Sequence, residues 1–176
     1  MSDAPRWLLL IHQIPPKPNY FRVKIWRRLQ RIGAVALKNS VYILPRSDTA
    51  QEDLAWVLRE IKEGGADATL CEARMVDGVT DDQIESLFHA ARDADYAELA
   101  EELRRLLGEP HKSEEARTLL QGELARVERR LAEILSIDFF ETSGRLAVDG
   151  LLSKLQARLR PASQEKETSA SADPRA

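Results

Sequence analysis

The first 75 residues alternate between short apolar runs and segments with helical periodicity, which restricts the fold more than any other feature. Trp7 to Ile14 is a short apolar run ended by Pro15-Pro16, a pattern typical of a buried strand. Asn19 can cap a helix over about Tyr20 to Ile32, and Gly33 can end it. The chain therefore begins with a strand and a helix.

Three further elements follow in this part of the chain. Residues 34–37 and 41–44 are predicted to form a hairpin across Lys38-Asn39-Ser40. Thr49 and Glu52 have the spacing of a capping box, and a helix to about residue 63 follows, ended by Gly64-Gly65. Residues 66–75 are predicted to form a fourth strand. We expect the apolar positions of both helices to pack on one face of the sheet; these are Phe21, Ile25, Leu29, Ile32, Leu54, Val57, Leu58 and Ile61.

The elements run β-α-β-β-α-β, the ferredoxin-like order. After Gly78 the pattern is helical, and Thr80 with Gln83 forms a second capping box. The predicted fold class is therefore α+β, with a ferredoxin-like βαββαβ core and a C-terminal helical part. We predict a ferredoxin-like domain over residues 5–78, a helical extension over 79–160 and a disordered tail over 161–176.

Charge is distributed unevenly along the chain. Residues 1–46 hold nine Lys and Arg against one acid, a net charge of +8. Residues 47–176 hold 17 basic and 28 acidic residues, a net charge of −11. The overall charge of −3 therefore hides a basic N-terminal region, and clustered cations of this kind are typical of nucleic-acid-binding surfaces.

The predicted first helix carries most of this positive charge. DNA binding requires cations that phosphates can neutralise, clustered on one surface with few acids nearby. The predicted DNA-binding residues are Lys24, Arg27, Arg28 and Arg31, with Arg22, Lys17 and Lys38 at the periphery. The alternative is a solvated helix face whose cations pair with the acidic helices downstream.

Tryptophan, histidine and cysteine side chains are the remaining candidates for a functional site, and their pattern indicates no catalytic site. Trp26 lies at the margin of its apolar stripe and is predicted to be core, whereas Trp56 lies opposite its stripe and is predicted to be covered by residues after Gly78. His12 is predicted to be a structural residue on a strand. The histidines and Cys71 lack metal-ligand spacing, so no metal, cofactor or catalytic residue is assigned.

Composition predicts a soluble cytoplasmic protein. The longest apolar run, Trp7 to Ile11, is too short to span a bilayer, and the sequence before it lacks the features of a signal peptide. The single cysteine, Cys71, fits a reducing compartment. We therefore expect no membrane partner.

Three segments together resemble one known family. Trp7 to Leu44, FHAARDADYAELAEEL (residues 88–103) and RRLAEILSIDFF (residues 129–140) resemble the N-terminal domain of the chromate-resistance regulator ChrB family. The resemblance covers roughly residues 5–160. It implies a transcriptional regulator of chromate-efflux genes whose N-terminal region takes part in DNA binding. Regulators of this family commonly carry a second domain after this one.

A shorter segment is similar to another group of proteins. RIGAVALKNSVYIL (residues 31–44) is similar to the hairpin of Cas2-like ferredoxin folds, including the one in PaaX-type regulators. Cas2 nucleases place a metal-binding acid at the end of the first strand, where this chain has His12-Gln13-Ile14-Pro15. The similarity thus implies a non-catalytic, Cas2-like domain that could form a homodimer.

These observations give three functional hypotheses. The first is a DNA-binding transcriptional regulator with duplex DNA as its partner and chromate as a candidate ligand at an unassigned site. The second is a non-catalytic interaction module whose basic helix docks on an acidic partner or a second subunit. The third, a Cas2-like metal-dependent nuclease, is disfavoured by the missing acid. We expect that the protein is not an enzyme.

Overall fold

A computed structural model describes residues 6–17, 19–110 and 113–160. The predicted disordered tail over 161–176 lies outside these ranges. The elements are β1 (Trp7–Gln13), α1 (Asn19–Arg31), β2 (Val35–Lys38), β3 (Val41–Pro45), α2 (Asp48–Glu63), β4 (Asp67–Ala73), α3 (Asp81–Gly108), α4 (Glu114–Ser136) and α5 (Arg145–Leu159). The protein is thus α+β, as predicted, with a four-stranded sheet and its helices followed by a helical region.

The sheet is antiparallel, and its strand order is β2-β3-β1-β4. β1 lies between β3 and β4, with Leu10 opposite both Tyr42 and Leu70. β1 and β3 are the two inner strands, paired on both edges, and they are more buried than the edge strands β2 and β4. β2 pairs only with β3 and forms one edge.

The described residues divide into two compact units. The first runs to Arg92 and includes Ser136–Thr142; the second consists of Asp93–Leu135 and the residues from Ser143 onward. These units reflect contacts within the chain, and the predicted domain division at residue 78 stays a prediction. None of the helices in the described ranges combines the length and apolarity needed to cross a membrane.

The core of the first unit joins the sheet to α1 and α2. Leu8 and Leu10 of β1 are buried together with Ile25 and Leu29 of α1 and with Leu54 and Ile61 of α2. The helix stripes predicted from the sequence therefore supply core residues, although Phe21, Ile32 and Leu58 are only partly buried.

The segment 136–142 belongs to the first unit and packs against β1, α3 and the end of α1. The buried Trp7 ring stacks on Phe88 of α3 and lies beside Phe140, and its indole N–H donates to Asp81 Oδ1 at 2.7 Å. Gly33 ends α1 with a φ of +77°, and a Cβ there would lie 2.7 Å from the Cβ of Ile137. Glycine at position 33 thus permits both the left-handed turn and this close approach.

Helix starts agree with the sequence at one capping box and differ at the other. Thr80 and Gln83 cap α3 reciprocally, each backbone N–H donating to the other's side chain. The predicted cap Thr49 is wrong: α2 begins at Asp48, and the Oγ of Ser47 accepts from the backbone N–H of Ala50 at 3.1 Å. Both residues have capping side chains, and the extended backbone at Ser47 decides between them.

The second unit has a separate apolar core. Tyr96, Leu99, Leu103 and Leu106 of α3 are buried with four residues of α4 and two of α5. Those partners are Leu120, Val127, Leu131, Ile134, Val148 and Leu155. The alternating spacing of four and three in α4 therefore provides a helix-packing seam, as predicted, with Leu124 only partly buried.

Candidate nucleic-acid interface

Helix α1 holds the predicted DNA-binding cations in fixed positions. Ile25 and Leu29 anchor its inner face in the core, so the residues between them along the chain must point outward. The first turn of α1 contains no acid, whereas Arg28 and Arg31 lie in its last turn. Cations near a helix C-terminus are favoured by the helix dipole, which stabilises this arrangement without a partner.

Four of the predicted cations line one shallow depression of about 440 Å³, together with Tyr20, Val23 and Glu60. We call the four the basic surface: Lys24, Arg27, Arg28 and Arg31. Four cations here face a single carboxylate, so the depression is strongly positive. The structure thus brings together the residues that the sequence grouped on one arc.

Glu60 of α2 neutralises one side of the basic surface. Its Oε1 lies 2.7 Å from Lys24 Nζ, and its Oε2 lies 3.8 Å from Arg28 Nε. Both cations therefore pair with a carboxylate of the first unit. Sequence reasoning missed Glu60 because its position beside α1 depends on how α2 packs.

The other side of the basic surface is open. Within the described ranges, Arg27 and Arg31 form no ion pair, and both are exposed. Their guanidinium groups can each make two parallel hydrogen bonds to a phosphate, which a lysine ammonium cannot. The pair is therefore available to an anionic partner.

Arg22 does not join the basic surface. It lines a separate cleft of about 270 Å³ with His12, Trp26, Asn39 and Tyr42. Lys38 is exposed at the end of β2, next to Asn39, and Lys17 is exposed before α1. These three peripheral residues thus lie outside the depression that the four central cations line.

The environment of the cleft lowers the pKa of His12. Burial is the main cause, since it disfavours the charged imidazolium, and the positive charge of Arg22 acts in the same direction. The His12 ring stacks on Tyr42 at a centroid distance of 5.8 Å. Burial likewise raises the pKa of Tyr42, and the charge of Arg22 partly opposes that shift.

Both predictions for tryptophan burial are wrong. Trp26 is 51% exposed because it lies on the Arg22 side of α1, away from the stripe that contains Ile25 and Leu29. The Trp56 side chain is 57% exposed, so it is not covered as predicted. The Arg59 guanidinium lies 4.4 Å from its ring centroid, a cation–π contact that leaves the indole in solvent.

Residues with metal-ligand chemistry are dispersed. Among the described residues, no group of three or more His, Cys, Asp or Glu could hold a metal ion. Cys71 is a partly buried free thiol on β4. His89 is linked to the segment 136–142, its Nδ1 lying 3.2 Å from Thr142 Oγ1.

Comparisons with known proteins place the chain in a family. The model described as "Protein ChrB, N-terminal" matches residues 22–164. Protein ChrB of Cupriavidus metallidurans (strain CH34) is 28% identical over 150 residues, which is 82% of this chain and 44% of that protein. The chain therefore spans less than half the length of this curated relative. No solved structure matches the chain. Because the family model covers most of the sequence, including all of the basic surface, the chain belongs to the ChrB N-terminal family.

Proposed function

We propose that this protein is a cytoplasmic, DNA-binding transcriptional regulator that acts in chromate resistance. The basic surface would contact the phosphates of duplex DNA, with Lys17 and Lys38 as candidate peripheral contacts, whereas Arg22 lies in the separate cleft. Family membership supports the role in resistance, and the uneven charge of the chain supports the nucleic-acid partner. The chromate-dependent part of the role is inferred from the family resemblance.

One observation carries the DNA proposal: Arg27 and Arg31 are exposed on a rigid helix beside Lys24 and Arg28, with one carboxylate among the four cations. Phosphate contacts release condensed counterions, so each contact adds to the salt dependence of binding. A surface of this kind binds the DNA backbone with little preference for base sequence, and it positions the protein on the duplex.

We also infer that the first unit is ferredoxin-like and non-catalytic. The element order β-α-β-β-α-β and the strand order β2-β3-β1-β4 support the first inference. The sequence His12-Gln13-Ile14-Pro15 supports the second, because the position where Cas2 nucleases carry a metal-binding acid has none. A Cas2-like homodimer remains a further proposal for the assembly.

The direct test is a salt titration of the full chain with a duplex from its own promoter region. Four phosphate contacts give a slope of log K against log salt of about −3.6. Arg27→Glu with Arg31→Glu should flatten this slope by about 1.8 and weaken binding to all sequences alike. Neither residue is in the core, so the fold should stay intact, with a small loss of stability because Arg31 lies in the C-terminal turn of α1.

A second function, an interaction module, is favoured by the ion pairs of Glu60 with Lys24 and Arg28. If pairing with carboxylates is the purpose of α1, the wild-type chain fails to bind duplex DNA at low salt. The double charge reversal then lowers binding to an acidic protein partner instead. Wild-type failure at low salt would therefore contradict the regulator proposal.

A further inference from the structure

The cleft that contains Arg22 is distinct from the basic surface. It lies where the N-terminal part of α1 meets the end of β1 and the β2–β3 hairpin, and Asn19 and Asn39 line it with His12 and Tyr42. Arg22 and Lys24 are two positions apart, so their side chains leave the helix about 160° apart. Arg22 therefore points away from the depression proposed to bind DNA.

The charges of the cleft favour an anion. Arg22 is its only charged lining residue at neutral pH, and none of the lining residues is a carboxylate. Within the described ranges Arg22 has no ion-pair partner. A guanidinium beside apolar walls and without a counter-charge attracts an anion more strongly than one surrounded by water.

The neutral polar groups of the cleft can donate hydrogen bonds. Asn19 and Asn39 carry amide N–H₂ groups, and Tyr42 carries a hydroxyl. The ring nitrogen Nδ1 of His12 is buried and has no hydrogen-bond partner among the described residues. Since nothing bonded to Nδ1 fixes the protonation of the ring, His12 can also become a donor when an anion supplies the opposing charge.

The cleft has room for a small oxyanion, with a volume of about 270 Å³. Apolar side chains, among them Val23, Ile25 and Leu29, line it together with the donors. Multiple donors around a single cation match the oxygens of a tetrahedral ion.

We propose that this cleft binds a small oxyanion of the class that includes phosphate, sulfate and chromate, with Arg22 as the principal ligand. Asn39 and Tyr42 donate to its oxygens, and the charge of the bound ion stabilises a proton on His12. Binding of a free ion is independent of DNA binding; only the inclusion of chromate among the ions rests on the proposed function.

The test is calorimetric titration of the full chain, without DNA, with sodium phosphate, sulfate and chromate at constant ionic strength in chloride. We expect saturable binding of at least one ion. Arg22→Met should weaken it at least tenfold, and Asn39→Ala should weaken it less because the cation remains. Arg129→Met, which neutralises an exposed arginine of α4, is the matched control and should bind as the wild type does.

A second measurement, the NMR signals of His12 in the wild-type chain, tests the proposal even if the Arg22→Met variant misfolds. The chain has three histidines, so the ring signals of His12 can be assigned by NMR with one His12→Gln spectrum. Saturation with the ion should raise the pKa of His12, whose facing titratable or charged groups are Arg22 on α1 and Tyr42 on β3. Unchanged His12 signals at saturating ion would overturn the proposal.

The same signals separate a free ion from a phosphate of the DNA backbone. A shift of His12 caused by a short duplex, with none caused by free ions, would overturn the assignment and make the cleft part of the DNA surface. Ion binding without DNA binding would contradict the proposed regulator alone. DNA binding with no saturable ion binding would contradict this inference alone.

Discussion

Arg27 and Arg31 of α1 and a group of arginines in the second unit are in opposite electrostatic situations. In the second unit, five arginines pair with nearby carboxylates: Arg104, Arg105, Arg126, Arg130 and Arg145. On α1, the described residues offer Glu60 to Lys24 and Arg28, and no carboxylate to Arg27 or Arg31. The same side chain is therefore neutralised locally in one region and left to an external anion in the other.

This contrast shows why net charge is a poor guide to the function of the chain. Several arginines after residue 80 have carboxylate partners at i+3, at i+4 or on a neighbouring helix, and each pair reduces the net positive charge around its arginine. The pKa of Arg126 is raised by its hydrogen bond to Glu102 and by the charges of Glu123 and Glu102. A cation paired with a carboxylate attracts a polyanion less than an unpaired cation does.

The largest effect is expected when two unpaired arginines of α1 are neutralised, with two paired arginines of the second unit neutralised as the control. Arg27→Met with Arg31→Met should reduce affinity for duplex DNA about 10- to 100-fold at low salt, because two phosphate contacts are lost. Arg126→Met with Arg130→Met removes the same charge from the second unit and should leave affinity within about twofold. Fluorescence anisotropy with a labelled duplex measures both. Equal losses in the two variants would eliminate the distinction between the regions.

The second largest effect on DNA affinity is expected when the carboxylate that pairs with Lys24 and Arg28 is removed. Glu60→Gln removes the carboxylate that lies 2.7 Å from Lys24 Nζ and 3.8 Å from Arg28 Nε. A charge interaction of about 1 kcal/mol corresponds to roughly fivefold tighter DNA binding. The salt slope should also steepen. Weaker binding by this variant would mean that Glu60 holds the two cations in the required geometry.

The fold and the site differ in how far the sequence predicts them. Strands and helices followed from local patterns: apolar runs, the spacing of core residues such as Leu54 and Ile61, and the stop at Gly33. The grouping of Lys24 with Arg27 also followed, because it depends on one helix alone. These features need only the geometry of a single element.

The features that sequence reasoning missed each depend on two or more elements. Glu60 reaches α1 only because α2 packs beside it, and the cleft needs β1, α1 and the hairpin together. A signal for the cleft was present, since Arg22 and Trp26 leave α1 on the same side, one turn apart. Trp56 was predicted to be covered because it lies opposite the core stripe of its helix, whereas in the structure the Arg59 guanidinium stacks on the exposed ring.

A smaller effect is expected for stability when one paired arginine of the second unit is removed. Arg130 lies 2.5 Å from Glu98 and 3.6 Å from Glu102, and its side chain is substantially exposed. Solvent screens such pairs, so Arg130→Ala should lower the free energy of unfolding by about 0.2–1 kcal/mol. Urea denaturation at low and high salt measures this change. A loss that does not shrink at high salt would identify packing of the arginine stem, not its charge, as the cause.

The smallest effect concerns Arg22, the unpaired arginine of the cleft, and it is visible as a pH dependence of stability. In the folded chain the pKa of His12 lies below 6.5, the ordinary value for histidine. Near pH 6.5 the unfolded state therefore binds more protons than the folded state. The free energy of unfolding therefore falls as the pH is lowered from 7.5 through 6.5, and it levels off once both states are protonated. His12→Gln should remove this part of the pH dependence. Arg22→Met should reduce it only slightly, because burial is the larger cause of the shift and the charge of Arg22 the smaller.

Thermal melts of the three proteins between pH 7.5 and 5.5 in chloride buffer give the comparison, and the difference between variants cancels the titration of carboxylates elsewhere. If Arg22→Met abolishes the dependence as fully as His12→Gln does, the charge of the unpaired arginine, and not burial, controls the proton on His12.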